Sequence, residues 1–398
     1  MAKQSACLGQ IPGDSARFGF SRSVGSLQLA AQIFYNPARI YPWTTVFLLT
    51  ELPFGWATRI LGMRDWSIDE IAGVGVNSWK RPDVNPGVCL LKICILGAGS
   101  LGCAIGGVLT EAGNDVWLVN RNQDQVEAMN GRGLVLGDGG KDRTVKVRAA
   151  TTVAEVGVVD LVIVLVKSFH TSEAMQAAMS LLSPETVVLS LQNGAGHEDI
   201  LSDMVGRDRV LAGKTYAGGT QAGVGHVIIG TRGRDTYIGE LDGSVSDRVQ
   251  QISELFNRAD LLTHVTTNIL GTIWDKLLIN VATGALSGIT GLTYGDLYQT
   301  PEVVDCALAA VAEAMAVAQA SDIVLSTTDP RETWVKAADG LPLDFKASIL
   351  QSLEKGSITE VDYINGAVVR QGWKVGVPTP INQTLVACIK GVERRLLA

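Results

Sequence analysis

Trp274-Asp275-Lys276-Leu277-Leu278-Ile279-Asn280 sets a lysine and an asparagine four residues apart in an apolar stretch. If that stretch is helical, both side chains leave the same face. An ammonium emerging among apolar neighbours is partly desolvated, which lowers its pKa toward neutrality and suits it to donate a proton as a general acid. The rival reading is a surface lysine whose stem lies over Leu277 while its head stays in water. Farther along, Ser348 and Glu360 flank Lys355-Gly356, which reads as a break between two helical stretches. On residue type alone Glu360 is a salt-bridged surface glutamate, and Ser348 is unremarkable.

The second chemical feature is Gly97-Ala98-Gly99-Ser100-Leu101-Gly102, a G-x-G-x-x-G sequence. In a chain with 44 glycines the pattern alone says little, but here it follows an apolar run and opens a helical one. Gly97 permits a sharp turn, Gly99 lets backbone approach a pyrophosphate, and Gly102 lets helix and sheet pack closely. The helix N-terminus then offers free N–H groups and the positive end of its dipole to phosphate. At the end of the next strand an NAD site carries Asp or Glu on the ribose; Asn120 and Arg121 stand there instead. A guanidinium pairs with a 2′-phosphate that a carboxylate would repel, so NADPH/NADP is expected over NAD(H). The alternative makes Arg121 a solvated turn residue and gives the ribose to Asp124. Lys167 and Asn193 end two further strands at the same crevice. Lys167 either neutralises cofactor phosphate or is simply a solvated strand end. Asn193 precedes Gly194-Ala195-Gly196, in a turn that is either structural or part of a site. A dinucleotide here and a proton donor at Lys276 are the parts a ketone reduction requires.

The elements that must position these residues are legible from Leu91 onward. An apolar run to Leu96, the glycine turn, a helical stretch from Leu101 to Ala112, a Gly113-Asn114 turn and Val116 to Val119 make a βαβ unit. Leu161 to Val166 and Val187 to Leu191 are further strands, as an open parallel sheet requires. Val227 to Ile229 and Tyr237 to Ile238, flanking polar Thr231-Arg232-Gly233-Arg234, read as a hairpin closing this domain. After about Val265 the sequence turns Ala-rich and helical, including Val303 to Ala320. The division expected is an extension over 1–90, a Rossmann domain over 91–265 and an all-helical domain over 266–398.

With 398 residues, two folded domains are the starting expectation. The formal charge of −7 leaves no general basic field for nucleic acid or an anionic membrane surface. The six cysteines are scattered, with no C-x-x-C pair and no zinc-spaced histidines, so a reducing compartment, the cytoplasm, and no metal are expected. Residues 1–90 hold four of the eight tryptophans without clear periodicity and read as a poorly structured extension. Two explanations compete for it: a start placed too early, since an opening strand begins near Leu91, or a targeting segment, since Arg17, Arg22 and Arg39 face only Asp14 within the first 50 residues. Thr44 to Met63 is broken by Glu51, Pro53 and Arg59 and falls short of a membrane span. Residues 80–88 have linker composition.

Taken in order, Gly97-x-Gly99-x-x-Gly102, Val166-Lys167, Gln192-Asn193-Gly194-x-Gly196, Trp274-x-Lys276-Leu277-x-x-Asn280 and Thr359-Glu360-Val361-Asp362-Tyr363-Ile364-Asn365-Gly366 resemble the ketopantoate reductase (2-dehydropantoate 2-reductase) family over residues 91–398. The resemblance implies a Rossmann domain followed by a helical domain of the 6-phosphogluconate-dehydrogenase-like type. It implies hydride transfer from NADPH to a small 2-keto acid, with a homodimer left open. It makes Lys276 the general acid, has Glu360 position substrate and lysine, and has Asn193, Asn280 and Ser348 hold the substrate. The turn Gly97, Ala98, Gly99, Ser100, Leu101, Gly102 together with Asn120, Arg121, Lys167, Asn193 and Glu360 would serve the cofactor. Three positions depart from the family pattern: Gly284 stands where many members have a second asparagine, Ile349 follows Ser348 in place of methionine, and Ser352 replaces an aspartate. Losing one buried polar partner shifts binding by about 1–3 kcal/mol, enough to alter substrate preference without touching the hydride chemistry. A β-hydroxyacid dehydrogenase, or an NADPH-binding sensor without catalysis, are the rivals. Ser348 and Glu360 argue against the first, and Lys276 together with Glu360 against the second.

Overall fold

Ile93 and Ile95 face one side of the opening strand while Cys94 and Leu96 face the other, and all four are buried. A strand apolar on both faces must lie inside a sheet covered on both sides. The computed structural model describes residues 91–396; the readings made for residues 1–90 lie outside the described residues. In chain order the strands are β1 (Lys92–Leu96), β2 (Asp115–Val119), β3 (Leu134–Asp138), β4 (Lys141–Val145), β5 (Arg148–Ala150), β6 (Leu161–Val164), β7 (Val187–Ser190), β8 (Val210–Thr215), β9 (Gly218–Gly223), β10 (His226–Gly230), β11 (Thr236–Glu240) and β12 (Thr263–Val265). Their helices are α1 (Ser100–Glu111), α2 (Gln123–Arg132), α3 (Thr171–Ala177), α4 (His197–Val205) and α5 (Asp247–Arg258).

The main sheet has eight strands in the order β12-β11-β8-β7-β6-β1-β2-β5. It is parallel except where β11 runs against β8. The expected strands 161–166 and 187–191 stop at Val164 and Ser190, and Lys167 caps a one-turn 3₁₀ helix over Ser168–His170. A second sheet, β4-β3-β10-β9, covers α1 and was not anticipated. Its β3–β4 hairpin turns on Gly139-Gly140, both at positive φ, as a two-residue turn matched to strand twist demands.

The hairpin expected between Val227–Ile229 and Tyr237–Ile238 does not form. β10 pairs with β3 and β9 in the small sheet, whereas β11 pairs with β8 and β12 in the large one. Thr231 to Arg234 is therefore a crossover between sheets. The burial patterns show why: β10 alternates, with Val227 and Ile229 inward and Ile228 outward, while β11 is buried at four of its five positions.

From α6 (Ile269–Thr290) onward every regular element is helical: α7 (Tyr294–Gln299), α8 (Pro301–Ala320), α9 (Pro330–Ala338), α10 (Ser348–Glu354), α11 (Asn365–Val375) and α12 (Pro380–Leu396). Asn268 caps α6 by accepting from the Gly271 amide, and Gly291, in the left-handed region at φ +75, ends it. Pro301 opens α8, whose Ala307, Ala310, Ala314 and Ala318 are buried and let its neighbours approach closely. By length and composition α6 and α8 could each cross a membrane. Here they pack against one another in the bundle, and α6 also meets β8 and β11. Cys94, Leu96, Val162 and Val164 on one sheet face share a continuous core with Trp274, Leu277, Leu278 and Val281 of α6. Ile93, Ile95, Leu161 and Ile163 pack into a separate core under α1 and α5. The helical lobe is thus anchored along the sheet by apolar contact, with α6 at the seam.

Candidate active site

α6 lowers Lys276 onto the carboxyl edge of the main sheet, the place where open α/β sheets bind ligands. Its Nζ donates to Asn193 Oδ1 at 2.8 Å and to the Thr215 carbonyl at 2.7 Å. Asn193 lies just past β7, and Thr215 ends β8. The ring of Tyr216 lies 5.4 Å from the ammonium. The head group is densely surrounded although part of the side chain still meets solvent. Burial brings its pKa down to about 8, against a smaller upward pull from Glu360. The surface-lysine reading is thereby set aside. Lys276, Leu277 and Asn280 of α6 face Gln192, Asn193, Gly194, Gly213 and Lys214 across a narrow cleft.

Glu360 enters from the segment between α10 and α11. One carboxylate oxygen accepts from the Ser168 amide at 3.1 Å and its hydroxyl at 2.6 Å; the other meets Lys167 Nζ at 3.1 Å. Burial pushes this carboxyl up, but Lys167 and the Ser168 bonds together outweigh it and hold the group below the usual carboxylate range. Glu360 is therefore a largely covered lobe-to-lobe tie, 13% exposed, where residue type alone read a surface ion pair. It hydrogen-bonds Lys167 and Ser168 and acts on Lys276 only through space. Gly194, at φ +96, allows the same closeness: a Cβ there would lie 2.3 Å from the Tyr363 carbonyl. That carbonyl accepts from the Ala195 amide at 3.0 Å, and Tyr363 stacks on His197 with centroids 5.1 Å apart.

Ser348 is not brought to the cleft. It is exposed at the first turn of α10, outside the cleft lining. The departures Gly284 and Ile349 are packed together: a Cβ at Gly284 would sit 3.2 Å from Ile349 Cδ1.

At the dinucleotide turn, a Cβ on Gly97 would lie 2.4 Å from the Val166 amide nitrogen, and one on Gly102 2.4 Å from the Gly97 carbonyl. A Cβ on Gly99 would meet nothing within 4 Å. α1 has no side-chain cap and no acid in its first turn, so its amides and dipole face that open space uncompensated. The cradle fits a pyrophosphate. Asn120 donates to the Ala98 carbonyl at 2.6 Å and accepts from the Asn122 amide at 2.9 Å, so its side chain shapes the turn. Arg121 is 68% exposed, 2.9 Å from His170 Nε2 and 3.9 Å from Glu173. Lys167 points to Glu360. Sequence reasoning passed over Ser168, Lys214, Thr215, Tyr216 and Tyr363. The two glycines after Asn193, both at positive φ, were the only local signal that another backbone comes close there.

A glycine-turn sheet that presents its carboxyl edge to a lysine carried by a helical lobe defines a two-lobed nicotinamide-nucleotide oxidoreductase. Comparison with known proteins narrows this. Residues 93–243 match the family described as "Ketopantoate reductase PanE/ApbA", and residues 268–393 match "Ketopantoate reductase PanE/ApbA C terminal". The 2-dehydropantoate 2-reductases of Pyrococcus horikoshii and Pyrococcus abyssi are 32% and 34% identical, covering 76% of this chain and 98% of each relative. The crystal structure of a PanE/ApbA family ketopantoate reductase from Ralstonia eutropha superposes with a TM-score of 0.71 at 33% identity, covering 77% of this chain and 99% of that one. D-mandelate dehydrogenase with NADH and anilino(oxo)acetate also superposes at 0.71, with 27% identity and coverage of 77% and 99%. The chain belongs to the ketopantoate reductase family, oxidoreductases acting on CH–OH groups.

Proposed function

We propose that this protein is an NADPH-dependent reductase of 2-keto acids whose substrate is 2-dehydropantoate, giving pantoate for pantothenate biosynthesis in the cytoplasm. The observation that carries the reading is the Lys276 ammonium, held over the sheet edge by Asn193 and the Thr215 carbonyl with its pKa brought down to about 8. When bound, the nicotinamide supplies the hydride that reduces the C2 ketone. Lys276 delivers the proton to the ketone oxygen, and its two present acceptors set where the ammonium points. Asn193 and Asn280 border the cleft and hold the substrate, and Glu360 fixes the approach of the helical lobe. The turn from Gly97 to Gly102 holds the pyrophosphate on the amides of α1. Arg121, exposed at the end of β2, takes the 2′-phosphate, and this supports NADPH over NADH.

Steady-state assays of the full chain with 2-dehydropantoate and other branched 2-keto acids, NADPH and NADH in parallel, test substrate and cofactor together. The expected result is the highest kcat/KM with 2-dehydropantoate and NADPH. No turnover of any 2-keto acid with either nucleotide overturns the reading.

A further inference from the structure

β8 is buried at all six of its positions, and one of them is a lysine. Lys214 is only 6% exposed. Lysine is among the residues least often found inside unless it is paired. Its Nζ donates to the Tyr216 hydroxyl and lies 4.0 Å from the centre of the Tyr216 ring and 5.6 Å from that of Tyr237, its cross-strand neighbour. The charges that face it are Lys276 and Asp275 from α6, Lys336 from α9 and Asp235 from the loop before β11. Among the described residues none of these carboxylates forms an ion pair with it; its partners are a hydroxyl and two ring faces. Lys214 borders the same cleft as Asn193, Lys276 and Asn280.

We infer that Lys214 is a substrate-binding residue whose ammonium takes the carboxylate of the 2-keto acid while Lys276 serves the adjacent carbonyl oxygen. The inference rests on the reductase reading and assigns the substrate's second polar group. A buried ammonium with no carboxylate in direct contact is unfavourable, and an arriving carboxylate offsets that penalty. Lys214 and Lys276 lie near one aromatic ring, 4.0 and 5.4 Å from the centre of Tyr216. A 2-keto acid carries its carbonyl and its carboxylate on adjacent carbons, a spacing two neighbouring cations can meet. Tyr216 itself is 38% exposed, so the ring stands where solvent reaches the pair. Burial, and then Lys276, bring the pKa of Lys214 down to about 7. The protonated form is the one that binds an anion, so affinity for the carboxylate falls as pH rises above about 7.

The test uses the full chain saturated with NADP and oxamate as a non-reducible mimic of a 2-keto acid, followed by intrinsic tryptophan fluorescence. Lys214→Met is expected to weaken oxamate about ten- to a hundredfold and to flatten the pH dependence around neutrality, with Lys214→Arg recovering part of the affinity. Thermal unfolding shows whether each variant is folded; Lys214→Gln replaces the methionine variant if that one is not. Parent-like oxamate affinity and pH profile in the folded methionine or glutamine variant overturn the inference. Turnover separates the two readings. If the parent reduces no 2-keto acid while the variant loses oxamate, the carboxylate site stands and the reductase reading fails. If the parent reduces them and the variant's KM is unchanged, the reverse holds.

Discussion

At Lys276 two effects oppose each other: burial favours the neutral amine, and the negative charge of Glu360 favours the ammonium. Burial is the larger, and the resulting pKa of about 8 leaves the group mostly protonated at neutral pH yet able to release its proton. Because only the ammonium can protonate the ketone oxygen, kcat/KM for reduction should fall as pH rises through about 8. Lys276→Met should lower kcat by about 10²–10⁴-fold, the usual reach of a positioned acid, with a much smaller change in the KM for NADPH. Unchanged turnover in that variant removes Lys276 from the chemistry.

The glycine turn joining β1 to α1 acts as an element because its glycines do different work. Gly102 is needed for packing, since a Cβ there would lie 2.4 Å from the Gly97 carbonyl, and backbone cannot yield cheaply. Gly102→Ala should cost about 1–3 kcal/mol, read as a lower Tm, as overpacking does elsewhere. At Gly99 a Cβ meets nothing within 4 Å, so Gly99→Asp should fold with a near-parent Tm. Its carboxylate would enter the space facing the amides of α1, and the Kd for NADPH should rise at least tenfold. A Tm loss at Gly99 matching that at Gly102 would show that the open space is not a ligand cradle.

Across the whole molecule the lobes are tied by Glu360 to Lys167 and Ser168, and by Tyr363 to the turn after β7 and to His197. His197 is buried, and burial lowers its pKa from 6.5 to about 4, so the folded state prefers it neutral. That preference contributes fully above pH 6.5 and is lost as pH falls toward about 4. The depressed carboxyl of Glu360 adds loss in the same direction at still lower pH. Glu198, whose burial raises its carboxyl, acts in the opposite sense. Comparing variants isolates the histidine: between pH 7 and 4 the parent's Tm should drop more than that of His197→Phe, which keeps the stacked ring without a titratable nitrogen. Equal slopes would count against this assignment.

Local rules were enough for part of this protein. The β1-turn-α1 unit, the shared face of Lys276 and Asn280, and the helical character after Val265 follow from turn chemistry and side-chain periodicity, which act over a few residues. Pairings decided the rest. Which sheet β10 and β11 join depends on strands from other parts of the chain, so a polar tetrapeptide between two apolar runs imitated a hairpin. Glu360 looked like a surface residue because its partners, Lys167 and Ser168, lie more than 190 positions away. The acidity of Lys276 arises from desolvation where it meets the opposite lobe, and Lys214 is enclosed by Tyr216 and by Tyr237 of a paired strand, arrangements that no single segment of the chain possesses.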